Sequence, residues 1–323
     1  MHDPLSIGVD VGGTRLKAGL VDRAGAVLAT ARRDTPARSA PSAVLEEALL
    51  SVIAELRSGA AATGHRADTV GVAVAGLVDA ARGTVVFAPH LPWREEPLRD
   101  RLAARLDLPV VIDNDANAAA WAEHRFGAGR GESHLLLITL GTGIGGAVLT
   151  EGRLQRGRHG LAGELGHVRV VPDGRACPCG NRGCWEQYVS GTLLRRDGQE
   201  LVRRGGAASA ALAAACGGDP DRLRGEDVTR LAREGDPASR AVLAAAGRWL
   251  GTGLAGAVAA LDPGTVVVGG GLSEAGDLLL DPARAALAQH LLGRGHRPVP
   301  AIVPAALGAG AGLVGAADLA RSQ

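Results

Sequence analysis

The chain has 323 residues, 46% of them hydrophobic and 2% aromatic, with a formal net charge of +1. That length exceeds one ordinary core and points to two domains. The balanced charge supplies no basic field for nucleic acid, and so few rings leave no platform for stacking bases or glycans.

Lysine occurs once, at Lys17, and arginine supplies the other long basic side chains, which reads as compositional bias. The short segment before the first apolar run has no charged region followed by an apolar one, so no signal peptide is expected. The longest apolar stretch, residues 241–261, is interrupted by Arg248 and by glycines, and reads as a buried helix rather than a membrane span. The expectation is a cytoplasmic protein with neither membrane nor nucleic acid as partner.

Residues 6–10 form a short apolar run, followed by Gly12-Gly13-Thr14, a second run at 16–21, the turn Asp22-Arg23-Ala24-Gly25 and a third run at 26–31. That is strand, tight turn, strand, turn, strand. The spacing of Val44, Leu45, Ala48, Leu49, Val52, Ile53 and Leu56 predicts a helix over 41–57. A strand follows at 69–74 and ends at Gly76. A helix at 96–106, a buried strand at 109–112 and a helix at 115–126 come next. Then the opening pattern returns: a run at 135–140, Gly141-Thr142-Gly143, a run at 145–149 and the turn Glu151-Gly152. Two distant copies of one hairpin indicate a duplicated core rather than a solenoid. Residues 198–225 are rich in Ala, Gly and Arg and read as helix with loops, without a definite placement. Asp236-Pro237 supplies an N-cap and a first-turn proline for a helix running to about Leu261. A strand at 265–268 enters Gly269-Gly270-Gly271, and a helix at 312–321 closes the chain. Strands alternating with helices argue for an α/β fold.

Each of the three glycine-rich turns follows an apolar strand. Glycine lets backbone N–H groups approach an anion, and threonine adds a hydroxyl donor. One such turn is what any hairpin needs; three, two of them with Thr, point to a nucleoside triphosphate. No G-x-x-x-x-G-K-[ST] is present, which excludes the P-loop, and no G-x-G-x-x-G opens a helix near the start. Asp10, just before the first turn, either organises Mg²⁺ through water or caps the turn.

The stretch from Gly163 to Tyr188 holds Cys177, Cys179 and Cys184, with His167 upstream. A Cys-x-Cys pair, a third Cys across a glycine-rich turn and a His make a Cys₃His set suited to structural Zn²⁺. Thiols this dense are more often a metal site than a disulfide in a cytosolic chain. Cys216 stands apart and reads as a small buried apolar residue. A clip joining 167 to 184 would fix Glu164 and Glu186 relative to each other; otherwise these are ordinary solvated glutamates. Asn114-Asp115-Ala116-Asn117 ends a strand and opens a helix. Asp115 there is either an N-cap or, with a sugar hydroxyl against it, a general base for attack on a γ-phosphorus. Glu164, His167 and Glu186 could grip other hydroxyls, His167 using one ring nitrogen for metal and the other for a donor bond.

Together these residues resemble the ROK family (repressors, open reading frames and sugar kinases). The resemblance runs from about Ile7 to Arg321 and rests on IGVDVGGTRLKAGLVD, DNDANAAAWAEHRFGAG, ITLGTGIGGAV, GELGHV, CPCGNRGCWEQYVSG, LDPGTVVVGGGLS and GLVGAADLAR. Within the family the chain is most similar to the zinc-containing glucokinases of actinobacteria. The resemblance implies a two-lobed actin-like (ribonuclease H-like) ATPase fold with a duplicated α/β core and an interlobe cleft. Residues 1–115 plus 304–323 would form the smaller lobe and 116–303 the larger, with the zinc loop. It implies an ATP-dependent glucokinase making glucose 6-phosphate, with Asp115 as general base. The alternatives are a kinase for another hexose (N-acetylmannosamine, fructose or allose), a polyphosphate-using glucokinase, and a non-catalytic sugar sensor. It implies sugar contacts at Gly76, Asn114, Asp115, Glu164, His167 and Glu186. The ATP site would use Asp10, with Mg²⁺, then Gly12, Gly13, Thr14, Thr142 and Gly143, with Gly270 and Gly271 near the adenosine. Zn²⁺ would take His167, Cys177, Cys179 and Cys184, and the chain would form dimers or tetramers. One departure concerns sugar choice: Ala88-Pro89-His90 stands where similar glucokinases carry Asn as the third residue. Another, Thr14-Arg15 in place of Thr-Lys, is read as neutral. Family repressors carry an N-terminal helix-turn-helix; with the first strand starting near Ser6, none is expected here.

Overall fold

The computed structural model describes residues 4–322; residues 1–3, part of the short segment before the first strand, and residue 323 lie outside the described residues. The chain begins with β1 (Leu5–Val11), β2 (Arg15–Val21), β3 (Val27–Asp34), α1 (Ser42–Ala62), β4 (Ala67–Val74), β5 (Leu77–Val78), β6 (Val85–Phe87) and β7 (Arg94–Glu96). Next come α2 (Leu98–Leu106), β8 (Val110–Asn114), α3 (Asp115–Phe126), β9 (Leu135–Leu140), β10 (Ile144–Thr150) and β11 (Arg153–Leu154). It continues with α4 (Gly191–Arg204), α5 (Ala210–Ala215), α6 (Gly225–Glu234), α7 (Pro237–Leu261), β12 (Thr265–Gly269), α8 (Asp277–His290), β13 (Ala301–Pro304) and α9 (Ala311–Arg321). Two compact units emerge, one of residues 1–133, 147–163 and 306–323, the other of residues 134–146 and 164–305.

The first unit is built on a sheet of order β3-β2-β1-β4-β8. β1, β2 and β3 pair antiparallel, and β4 and β8 extend the sheet parallel to β1. On one face Ile7, Val9 and Val11 join a core with Leu45, Leu49, Val52 and Ile53 of α1. Full burial of such a side chain contributes about 1.5–3 kcal/mol. The other face takes α9 at backbone distance. A Cβ at Gly71 would lie 1.8 Å from the Ala316 carbonyl oxygen, and one at Gly315 would lie 1.7 Å from that of Ala118. Only glycine permits such contacts, so α9 is held between the sheet and α3. The register then matters for chemistry. Val11, Val74 and Asn114 are aligned across β1, β4 and β8, so the parallel strands end in one row. The segments leaving that row are Gly12-Gly13-Thr14, Gly76 and Asp115. Open α/β sheets bind ligands at such carboxyl ends.

The second sheet has the order β11-β10-β9-β12-β13, the same connectivity as the first: three consecutive strands, then two added parallel. The duplication expected from the repeated hairpin is present. The start of β10 is counted with the second unit and its end, with β11, with the first. In the second unit α7 begins as predicted, with Pro237 in its first turn and the Asp236 carboxylate accepting from Ser239 N–H. It is the one described helix long and apolar enough to cross a bilayer; half of its most apolar window is buried, and it packs along α8.

The structure adds elements that the pattern did not place. Residues 198–225 span the end of α4, the short α5 and the start of α6, with Gly205 at φ 70 closing α4. The short strands β5, β6 and β7 and the helix α8, which runs unbroken through Pro282, are not among the predicted elements. The units differ from the expected 1–115 plus 304–323 and 116–303 in that residues 116–133 and 147–163 also fall in the first unit. Residues 116–133 belong to the first unit because Trp121 and Arg125 of α3 both bond to Asp318 of α9.

Candidate active site

In the first unit the Gly12-Gly13-Thr14 turn is closed by Gly12 N–H donating to the Arg15 carbonyl at 3.1 Å. Thr35, just past β3, ties it down: its hydroxyl donates to Gly12 O at 2.7 Å and its N–H to Thr14 O at 3.0 Å. His90 stands against this turn, since a Cβ at Gly13 would lie 2.9 Å from His90 Cβ. The loop carrying His90 is tied together by Arg94. Its guanidinium donates to the carbonyls of Ala88, Leu91 and Trp93 and lies 4.2 Å from the Phe87 ring centre. Asp10, the last residue but one of β1, lies beside the first turn of α9; a Cβ at Gly312 would be 3.1 Å from its Cγ. Burial raises the Asp10 pKa, and Lys17, its register partner on β2, opposes that.

At the end of β8 the structure separates the two readings of Asp115. Asn114 is the N-cap of α3: its Oδ1 accepts from Ala116 N–H at 2.9 Å and from Asn117 N–H at 3.1 Å. Its Nδ2 donates to Gly76 O at 3.1 Å, which joins the ends of β4 and β8. With the cap supplied by its neighbour, Asp115 is the first helical residue, and its Oδ1 also accepts from Ala116 N–H at 2.9 Å. Asn114, one of the expected sugar contacts, spends its oxygen and one amide proton inside the protein, leaving one amide proton for a ligand.

In the second unit the Gly141-Thr142-Gly143 turn is held from the start of α4. Gly191 N–H donates to Gly141 O and the Thr192 hydroxyl to Thr142 O, each at 2.8 Å. Glu186 reaches the same turn: a Cβ at Gly143 would lie 2.4 Å from Glu186 Oε2. Gly269, the end of β12, is in register with Thr139 of β9, and a Cβ at Gly270 would crowd the Leu140 carbonyl at 2.4 Å. Gly270 and Gly271 therefore lie beside the Thr142 turn.

The donor atoms of His167, Cys177, Cys179 and Cys184 all lie within 4.8 Å of one another. Cys179 and Cys184 Sγ are 3.6 Å apart, and Cys177 Sγ is 3.7 Å from His167 Nδ1. Zinc bond lengths of about 2.3 Å to sulfur and about 2.0–2.1 Å to nitrogen give tetrahedral edges of about 3.5–3.8 Å, so the set fits a metal of that kind. Short bridges Arg169–Cys184 and Ala176–Arg182 fold the loop into place. Burial pushes the Cys177 and Cys184 thiols up, with contacts to Glu186 and to Cys179 adding to it. A dication among them would reverse that balance in favour of thiolates. The imidazole is oriented: Nδ1 faces the sulfurs, while Nε2 is 4.0 Å from Glu164 Oε2. Glu186 Oε1 accepts from the Cys177 thiol at 3.0 Å and from Gln187 Nε2 at 3.2 Å. Burial raises the pKa of Glu164, with His167 opposing and Glu186 reinforcing the shift.

The expected residues thus gather into two sets. Asp10, Gly12, Gly13, Thr14, Gly76, Asn114 and Asp115 lie at the strand ends of the first unit. Thr142, Gly143, Glu164, His167, the three cysteines, Glu186, Gly270 and Gly271 lie in the second. Sequence reasoning missed Thr35, Arg94 and Thr192, each of which fixes a backbone segment from a distant position and leaves no local pattern.

A family model described as the ROK family matches residues 6–323. A glucokinase of Streptomyces coelicolor is 45% identical over 317 residues, 98% of each chain. Among solved structures, a ROK family glucokinase from Streptomyces griseus in complex with glucose and AMPPNP is 44% identical, with a TM-score of 0.89, covering 99% of this chain and 100% of that one. A ROK hexokinase from Thermus thermophilus is 35% identical with a TM-score of 0.77, covering 98% of each.

Proposed function

The chain belongs to the ROK family, and from that membership we infer that it is an ATP-dependent glucokinase, moving the γ-phosphoryl group of ATP to the 6-hydroxyl of glucose. The observation that carries the reading is the end-to-end likeness to a Streptomyces glucokinase at 45% identity. The fold is the two-lobed actin-like ATPase fold of the family's kinases.

Asp115 is the general base. Its carboxylate takes the proton of the 6-hydroxyl as that oxygen bonds to the γ-phosphorus, and the bond from phosphorus to the bridging oxygen breaks to release ADP. The rest of the catalytic work is positioning. Gly12, whose N–H closes the turn on Arg15, shapes the first phosphate loop; backbone N–H groups of Gly13, Thr14, Thr142 and Gly143 receive phosphate oxygens, and Gly270 and Gly271 border the adenosine. Mg²⁺ would supply charge neutralisation on the phosphates, and Asp10 would hold it through water. Sugar hydroxyls bond to Gly76, Asn114, Glu164, His167 and Glu186. Zn²⁺ on His167, Cys177, Cys179 and Cys184 would act structurally, clamping the loop. With Cys177 as a thiolate, Glu186 Oε1 would keep the Gln187 donor and lose the thiol, which opens one lone pair to a sugar hydroxyl. The enzyme works in the cytoplasm as a homodimer or homotetramer, without nucleic acid.

His90 against the first turn makes sugar choice the point to test. A coupled assay over glucose, N-acetylmannosamine, fructose and allose, each with ATP and with polyphosphate, measures kcat/KM. Glucose with ATP should give the highest value. A higher value for another hexose or for polyphosphate would replace the substrate assignment, and sugar binding without turnover would favour a sensor.

A further inference from the structure

We propose that Asp113 and Arg156 are a positioning pair for Asp115: their ion pair sets the junction between β8 and α3 and so aims the base. The inference rests on the reading of Asp115 as base and adds to it two residues that touch no substrate.

Asp113 is the last residue but one of β8 and is 3% exposed. Arg156 lies two residues past β11, and both its Nε and its terminal nitrogen donate to Asp113 Oδ2, at 3.0 and 2.5 Å. The other oxygen, Oδ1, accepts from Asn114 N–H at 2.9 Å and from Asn117 Nδ2 at 3.0 Å. One buried carboxylate thus takes four donors. Two come from the segment that carries Asp115, one on each side of it, and two come from Arg156. Charge-assisted bonds of this kind are short and directional. Asn114 in turn caps α3 and bonds to Gly76, so a rotation of the junction has to break bonds at Asp113, Asn114 and Asn117 together.

The anchor is itself fixed. Ala162 N–H donates to the Arg156 carbonyl at 3.0 Å, closing the loop, and a Cβ at Gly160 would lie 2.3 Å from Val78 O, so that loop is seated on the β5–β6 hairpin. A buried ion pair yields little net stability, because desolvating both charges offsets their attraction. What the pair does contribute is fixed geometry two residues from the reacting group. Lysine could not reproduce the fork that arginine makes on one oxygen.

The test compares Arg156→Ala, Arg156→Lys, Asp115→Asn and the double variant Asp115→Asn/Arg156→Ala, each checked for a folded melting transition. Arg156→Ala should lower kcat about tenfold or more, with KM for glucose and for ATP within about threefold, as displacement of a base does. Arg156→Lys should fall between it and the parent. In the Asp115→Asn background, adding Arg156→Ala should reduce the residual rate by less than about twofold, since the group being aimed is gone. A folded Arg156→Ala enzyme with parental kcat overturns the proposal. So does an equal loss in both backgrounds, which marks a general lesion. If Arg156→Ala does not fold, parental kcat in Arg156→Lys overturns it instead. Parental turnover in Asp115→Asn alone refutes the base assignment, a failure distinct from that of the pair.

Discussion

Asn114 and Asp115 are adjacent, polar and similar in size, yet the backbone gives them different work. Asn114 satisfies two of the open N–H groups of α3, so Asp115 is released from the capping role that it would otherwise fill. Replacing Asn114 by Ala should cost about 0.5–2 kcal/mol through loss of the cap. The measurement is a thermal or urea melt; an unchanged midpoint would show that the cap carries no weight. The sequence alone could not decide between the two residues, because Asn and Asp cap helices about equally well. Nor could it reveal the partners of Asp113, since Arg156 lies on a different element and no local spacing links them. The gathering of Cys177, Cys179, Cys184 and His167 was legible because a set able to hold a metal shares a residue chemistry and a tight turn. The direction of the imidazole was not, because it depends on the folded path of the loop.

Among the elements, the cysteine loop carries the most consequence. It places Glu186 between the thiol cluster on one oxygen and Gly143 on the other. It also leads straight into α4, whose first residues hold the Thr142 turn. Removal of the proposed Zn²⁺ should therefore loosen more than the loop. Treatment with a strong chelator should lower the melting temperature and weaken binding of both glucose and nucleotide, and added Zn²⁺ should restore all three. A chelated, metal-free protein with unchanged melting and binding would remove the structural role. Other elements show where pattern reading stops. α1, α3, α7 and the strands of both opening hairpins announced themselves by period or by cap. Residues 198–225 did not, because Ala and Gly are neutral in a hydrophobic pattern, and α8 did not, because a proline at 282 argues against a helix that the fold nonetheless carries through it.

At the scale of the molecule, two sheets share one connectivity, and each bears a glycine-threonine turn after its first strand. The repeat was legible because a hairpin is local in sequence. The return of the last residues to the first lobe was implied by the resemblance, but the place of α3 in that unit was not, since it is set by packing against α9, far away in the chain. The proposed reaction is a property of the intact chain, so the decisive test reads the whole enzyme. It is the steady-state turnover of glucose by Asp115→Asn beside the parent, with glucose affinity measured separately by calorimetry. The account predicts a fall in kcat of about a hundredfold or more with glucose affinity little changed. Turnover within about tenfold of the parent would contradict it and remove Asp115 as the base.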